Sequence, residues 1–383
     1  MEYQQSKKAT MLLQSEIRNM SIECDSVGGI NLSQGICDLP LESILSDGVV
    51  QAMRIGENHY TRYDGLDVLR EAITQKAKAF NRINTSPDVI TVSCGATGAL
   101  YSACYALLDP GDEVVLFEPY YGYHQYTLTS LGLVPVYVTL TLPDFSIDYD
   151  QLQAVVGPKT KALILCTPAN PCGKVFTEAE LLLLAAFCEK NNLLVFTDEI
   201  YEYITYDGNR HISPASLDDF NERTITISGY SKTFSITGWR IGYCISNKKV
   251  AQWIGNANDL IYVCAPAPLQ YAVAQGINQV PQSFYDGLRA DFTQKRNLLC
   301  DTLSILGLTP YIPQGAYYVL ADVTALPGAT GKDKAMYLLN KTGVATVPGE
   351  AFYQSNVGHN LLRFCFAKNM AVIHEACERL KTL

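Results

Sequence analysis

From about residue 88 to residue 245 the chain alternates short apolar runs with helical patterns, and this alternation restricts the fold more than any other feature. Residues 89–92 read as a strand, followed by a small-residue turn and a helix through Leu107. Further strands are expected at 113–117, 161–166, 193–196, 224–227 and 240–245, with a helix over 179–190. Strands this apolar, separated by helices, predict a mainly parallel sheet covered on both faces. Such a sheet places ligands at the carboxyl ends of its strands.

After about residue 280 the pattern changes. A helix near 284–306 precedes segments at 316–323, 334–341 and 361–367 and a closing helix. This predicts a smaller α+β domain joined by residues near the N-terminus. The expected organisation is an N-terminal segment at 1–40, a large domain at 41–280 and a small domain at 281–383.

Bulk properties narrow the function. The 383 residues carry a formal charge of −9 with no Lys/Arg-rich block, which speaks against a nucleic-acid surface. The longest apolar stretch, residues 181–188, is closed by Glu180 and Glu189, too short to span a bilayer. The N-terminal MEYQQSKKATMLL lacks the apolar core of a signal peptide. Twelve scattered cysteines, never paired as CxxC, read as reduced thiols of a cytoplasmic protein, and five dispersed histidines predict no metal site.

Candidate functional residues sit where strands end. In Gly95-Ala-Thr-Gly98, backbone N–H groups and the Thr97 hydroxyl can approach a phosphate at a helix N-terminus; the alternative is a tight strand–helix turn. Asp198 ends an apolar run, where a carboxylate is costly unless paired. A pyridinium N–H would be such a partner; a helix cap or salt bridge is the alternative. Lys232 lies in Ser228-Gly-Tyr-Ser-Lys-Thr-Phe234, a poor setting for a solvated lysine and a good one for an amine nucleophile. Arg240 follows in Gly238-Trp-Arg-Ile-Gly242, and Arg363 interrupts an apolar strand. The planar fork of Arg363 suits a carboxylate, or a structural salt bridge.

Their order and spacing carry more than any one of them. The chain resembles the class I/II aminotransferases of pyridoxal 5′-phosphate (PLP) fold type I over nearly its whole length. The matching stretches are Asn31-Leu-Ser-Gln-Gly35, Tyr60-Thr-Arg-Tyr-Asp-Gly65 with Leu69-Arg-Glu-Ala72, and Ile90 through Leu100. Asp109-Pro-Gly-Asp-Glu-Val114, Glu118-Pro-Tyr-Tyr121, Thr167-Pro-Ala-Asn-Pro-Cys-Gly173, Asp198-Glu-Ile-Tyr201, Ser231-Lys-Thr-Phe234 and Gly238-Trp-Arg-Ile-Gly242 complete the set.

The resemblance implies an α/β fold, with a mainly parallel sheet of the seven-stranded type flanked by helices and a smaller α+β domain. It implies that Lys232 holds PLP as a Schiff base and later moves protons. Asp198 would pair with the ring nitrogen, Tyr201 and Asn170 with the ring hydroxyl, and Tyr121 would stack on the ring. Gly95, Ala96, Thr97, Ser231 and Arg240 would hold the phosphate. Tyr60 would reach the phosphate of a neighbouring subunit, implying a homodimer with shared active sites. Arg363, with Gly35 and Asn170 beside it, would bind the substrate α-carboxylate. The implied reaction is transfer of the α-amino group of a free amino acid to an α-keto acid.

The alternative within this fold is β- or γ-elimination or cyclisation, as in enzymes acting on hydroxylated arginine, which start from the same Cα deprotonation. Glu16, Glu23, Asp25 and Asp38 lie in segments that by the resemblance border the substrate entrance, where one could receive a cationic side chain or simply be solvated. Three departures from the family pattern stand out. Cys172 replaces a threonine in the Asn170 loop, Gly229 replaces a phosphate-binding serine that Ser228 or Ser231 could supply, and Cys37 replaces a proline near the substrate pocket.

Overall fold

The computed structural model describes residues 3–11 and 14–383. The reading of the N-terminal leader falls partly on residues 1, 2, 12 and 13, outside the described residues. Among the described residues seven strands build the large sheet: β1 (Ile90–Cys94), β2 (Glu113–Glu118), β3 (Val134–Thr139), β4 (Thr160–Cys166), β5 (Leu194–Asp198), β6 (Thr224–Gly229) and β7 (Ile241–Ile245). They lie in the order β1-β7-β6-β5-β4-β2-β3. Only β7 runs against its neighbours, pairing antiparallel with β1 and β6.

Burial explains which strands the sequence reveals. β2, β4, β5, β6 and β7 are buried along nearly their whole length and read as apolar runs. The strand β3 escapes sequence reading because it is half-buried and contains Pro135. A proline is tolerated there since β3 lies at the sheet edge, where one side has no ladder to complete. Two predicted bounds also shift. Residue 89 belongs to a 3-10 turn before β1, and Arg240 precedes β7 in a left-handed conformation with φ 56°.

Helices cover both faces of this sheet. Between β1 and β2 lies α1 (Gly95–Leu107), and between β4 and β5 lies α2 (Glu178–Lys190). The Thr177 hydroxyl and the Glu180 carboxylate form a reciprocal capping box that fixes where α2 starts. A second, antiparallel sheet contains β8 (Thr309–Tyr311), β9 (Tyr318–Asp322), β10 (Val347–Pro348) and β11 (Leu361–Cys365), in the order β10-β11-β9-β8. The 24-residue helix Gln282–Ile305 leads into it. Ile30–Asn31 pairs in parallel with Val344–Ala345, so the N-terminal segment is tied to C-terminal residues.

All twelve cysteines are free, and no helix among the described residues is long and apolar enough to cross a membrane. One buried group, Glu199, Glu202 and His211, has side chains close enough to hold a metal. Its oxygens are already engaged. Glu202 pairs with Lys76, Asn81 and Ser228, while Glu199 accepts from Thr197 and Ser213 and contacts His211. The group is an internally paired network beneath the loop after β5.

Candidate active site

The strands β1, β2, β4, β5 and β6 deliver their carboxyl ends to one edge of the large sheet. The reversed strand β7 brings its amino end, with Arg240, to the same edge. Behind this edge opens a cavity of about 320 Å³. Ala96, Thr97, Tyr121, Asn170, Asp198, Tyr201, Ser231, Lys232 and Arg240 line it, and Gly35 and Arg363 reach it from outside the large sheet. Eleven of the thirteen residues singled out in the sequence therefore share one space.

Two do not line it. Gly95 lies just behind the wall, at φ 75°, where a Cβ would stand 2.5 Å from the Arg240 guanidinium. The absence of a side chain is what lets Arg240 close over the start of α1. Tyr60 is 82% exposed and stands apart from the cavity of its own chain.

Lys232 keeps some surface open to the cavity while protein surrounds it. Desolvation lowers its ammonium from 10.5 to about 8, against opposing pulls from Cys365 and Asp198. Its Nζ donates to the Gly35 carbonyl at 3.3 Å. Such an amine is free often enough at neutral pH to act as a nucleophile and proton carrier.

Asp198 is braced by two contacts. Its Oδ2 lies 2.9 Å from His124 Nε2, and its Oδ1 accepts from the Ile200 N–H at 3.3 Å. His124 is buried and packs edge-on against the Tyr121 ring at 5.4 Å. Sequence reading missed His124. The available signal was its position one helical turn after Tyr121, which puts both side chains on the same wall.

Arg363 is fully buried, on β11 between Leu320 and Val347. Its Nη1 donates to Asn170 Oδ1 at 2.9 Å and its Nη2 to the Ser33 carbonyl at 2.6 Å. The guanidinium stacks on Tyr318, 4.2 Å from the ring centroid. No carboxylate among the described residues pairs with it, and its Nε has no partner. The salt-bridge alternative thus falls. A buried guanidinium held only by neutral groups lacks the anion that would offset its desolvation.

The corner expected to take a phosphate contains uncommitted donors. The first N–H groups of α1 have no side-chain cap, and the Thr97 and Ser231 hydroxyls find no protein partner among the described residues. Arg240 donates once, to the Thr237 carbonyl at 2.9 Å. Ser228 does not contribute: it is fully buried and donates to Glu202 at 3.0 Å, away from the cavity. Nor could residue 229 carry a serine easily, since a Cβ there meets the Ile241 carbonyl at 3.0 Å and Gly242 Cα at 3.1 Å. Of the two expected substitutes, only Ser231 faces the site.

Tyr201 is buried with its hydroxyl 3.2 Å from that of Tyr318, and desolvation raises its phenol well above the usual range. Cys172 is buried within its loop, and Cys37 lies behind the wall, accepting from Ser235 at 3.0 Å. Neither thiol lines the cavity. Glu16, Glu23, Asp25 and Asp38 also stay out of it. Glu16 pairs with Lys332 at 2.9 Å, and the other three are exposed. Ser15, Ile17 and Arg18 line the wall instead.

A lysine of lowered basicity, a carboxylate, an uncapped helix start and an aromatic ring around one cavity suit PLP, and together with the sheet order they define an enzyme of PLP fold type I. The chain belongs to the family described as aminotransferase class I and II, whose model matches residues 27–380. It is therefore a PLP-dependent aminotransferase acting on an amino acid and a keto acid. It is 32% identical to kynurenine–oxoglutarate transaminase of Dictyostelium discoideum, over 92% of this chain and 90% of that protein. It is 31% identical to methionine aminotransferase of Escherichia coli, over 92% of each. A crystal structure identifying a methionine aminotransferase function in Escherichia coli superposes with a TM-score of 0.95 at 30% identity, covering 100% of both chains.

Proposed function

We propose that Lys232 holds the cofactor through its amine, and that Arg363 binds the α-carboxylate of a free L-amino acid. The observation that carries this reading is Arg363, a fully buried guanidinium with no carboxylate partner, on the wall of the Lys232 cavity. PLP, when bound, supplies the electron sink that makes the Cα proton removable.

This chain's own residues supply the rest. Asp198, steadied by His124, holds a ring N–H, and Asn170 and Tyr201 hold the ring hydroxyl. Tyr121 covers one ring face, and Ala96, Thr97, Ser231 and Arg240 take the phosphate, with Gly95 leaving room. Asn170 also fixes the Arg363 fork, so one side chain connects cofactor and substrate positions. Lys232 Nζ, once released, moves the proton from Cα, at a basicity matched to neutral pH. Gly35 has to lack a side chain, since a Cβ there would overlap the Tyr318 hydroxyl.

We further propose a homodimer in which Tyr60, exposed in its own chain, reaches the partner's phosphate corner. The division into 41–280 and 281–383, with 1–40 attached to the smaller part, is supported by the two separate sheets and the pairing of Ile30–Asn31 with Val344–Ala345. A cytoplasmic setting is consistent with twelve unpaired thiols. Transamination is favoured over elimination or cyclisation by the relatives named as aminotransferases, and a cationic, arginine-like substrate finds none of Glu16, Glu23, Asp25 and Asp38 on the cavity wall.

The test is incubation of the purified holoenzyme with a panel of amino acids and keto acids. New amino acid formed only when an acceptor is present is the expected result. Ammonia or a cyclic product formed without acceptor overturns transamination.

A further inference from the structure

Three buried tyrosines, Tyr201, Tyr317 and Tyr318, pack ring against ring, with centroids 4.9 to 6.0 Å apart. Tyr317 donates to the Gly35 carbonyl at 3.0 Å. A carbonyl only accepts, so the single proton of Tyr317 is committed. The Tyr201 and Tyr318 hydroxyls stand 3.2 Å apart, and in the protein alone either can be the donor. Both side chains line the Lys232 cavity. The roles proposed above use Tyr201 and leave the Tyr318 hydroxyl without one.

The backbone fixes where Tyr318 stands. It lies on β9, where Leu320 pairs with Arg363 of β11 and Tyr318 with Cys365. Tyr318 is thus a diagonal neighbour of Arg363, and its ring packs against that guanidinium, 4.2 Å from the centroid. Its hydroxyl reaches Tyr201, which follows β5 of the large sheet. Glycine at position 35 leaves room for this hydroxyl, since a Cβ there would lie 1.8 Å from its oxygen. The titratable and charged groups facing the pair are Tyr121, Tyr317, Cys365 and Arg363, with Lys232 and Asp198 on the same cavity. Burial raises both phenols, Tyr201 well above the ordinary range and Tyr318 to about 12, so both keep their protons at neutral pH.

We propose that Tyr318 is a positioning residue for the cofactor: its hydroxyl donates to Tyr201 and so turns the Tyr201 proton toward the ring hydroxyl. The inference rests on the functional reading above, in which Tyr201 meets that group. A phenol has one proton to give and lone pairs to receive. Once Tyr201 donates to the ring oxygen, it can only accept from its neighbour, and the protonated Tyr318 is 3.2 Å away. Tyr317 cannot take this part, because its proton goes to Gly35. A donor behind Tyr201 polarises its O–H and strengthens the forward bond by roughly 10–30%. The ring oxygen is thereby held more firmly in its negative form.

The test is a spectral titration of the bound cofactor, which needs no turnover and reads the pH at which its colour changes. It compares wild-type holoenzyme with Tyr318→Phe, Tyr201→Phe and the double variant. Tyr318→Phe keeps the ring against Arg363 and removes only the hydroxyl. Loss of a donor that stabilises the more negative ring oxygen moves the midpoint upward. The rise should be a few tenths of a pH unit in Tyr318→Phe and larger in Tyr201→Phe. The double variant should rise no further than Tyr201→Phe, because Tyr318 acts through Tyr201. Cofactor affinity, titrated into the cofactor-free protein, should fall about twofold in Tyr318→Phe. An unmoved midpoint in Tyr318→Phe, or a shift that adds in full to that of Tyr201→Phe, makes Tyr318 a wall residue. That result overturns this inference and leaves the aminotransferase reading intact. An unmoved midpoint in Tyr201→Phe removes Tyr201 from the ring hydroxyl and overturns that assignment and this inference together.

Discussion

His124 Nε2 stands 2.9 Å from Asp198 Oδ2, so the carboxylate at the end of β5 is oriented from behind before any ligand arrives. Replacing His124 by Phe keeps the ring packing against Tyr121 but removes this hydrogen bond. A hydrogen bond to a charged group contributes about 1.5–3 kcal/mol. Cofactor affinity of His124→Phe should therefore fall roughly 10- to 100-fold by fluorescence titration of the cofactor-free protein. An unchanged affinity would show that Asp198 needs no brace.

Arg363→Lys tests the α-carboxylate site. Lysine retains charge but loses the planar fork that spans Asn170 and the Ser33 carbonyl. Truncating a buried hydrogen-bonded charge costs about 2–5 kcal/mol in binding. The loss should appear as a higher KM for every amino acid and keto acid alike, read by steady-state kinetics over several substrates.

Lys232 gives a pH dependence with a definite sign. Its folded-state value of about 8 lies below the usual 10.5, so between these limits the unfolded chain binds the extra proton. Stability from this group rises with pH through that window and is lowest below about 8. In the cofactor-free protein, Lys232→Met should raise the melting temperature at pH 7 and lose the advantage by about pH 10.5. The wild-type rate of cofactor capture should climb with pH and level off above about 8, where Nζ is free. A rate flat from pH 6 to 9 contradicts the lowered basicity.

Gly229→Ser examines the departure from the family pattern. The Cβ would press on the Ile241 carbonyl and Gly242 Cα across the β6–β7 pair. Overpacking of this kind costs about 1–3 kcal/mol, readable in the denaturant midpoint. Ser231→Ala, by contrast, should leave stability nearly unchanged and weaken phosphate binding, measured with inorganic phosphate as competitor.

The buried pair of Lys76 and Glu202 fastens the loop carrying Tyr201, just after Asp198, to the helix Asp67–Lys76. Lys76→Met leaves Glu202 buried without its cation, which typically costs 3–5 kcal/mol. Lys76→Met combined with Glu202→Gln should recover a large part of that loss. Thermal and urea unfolding of the three variants gives the coupling directly.

Much of the site was legible in the sequence because its parts sit at fixed offsets from buried strands. A run such as residues 193–197 has to be a strand, and a charged residue directly after it has to stand at the carboxyl edge. Asp198, Lys232 and the Gly95 turn are visible for that reason, and family resemblance supplied their partners. What stayed hidden depends on contacts between residues far apart in the chain. His124 against Asp198 is separated by 74 positions, and Arg363 against the Ser33 carbonyl by 330. The strand β3 was lost because an edge position relaxes the apolar pattern.

The sequence by itself determined the class of fold and, through the family resemblance of its short motifs, the cofactor, and it marked Lys232 as the lysine expected to receive it. Only the tertiary structure decided which charges face the cavity. It turned Ser228 inward to Glu202, kept Glu16, Glu23, Asp25 and Asp38 out of the cavity, and put Arg18 into its wall. Helical spacing tells which residues share a face, but which face meets the cavity is set by how distant elements pack.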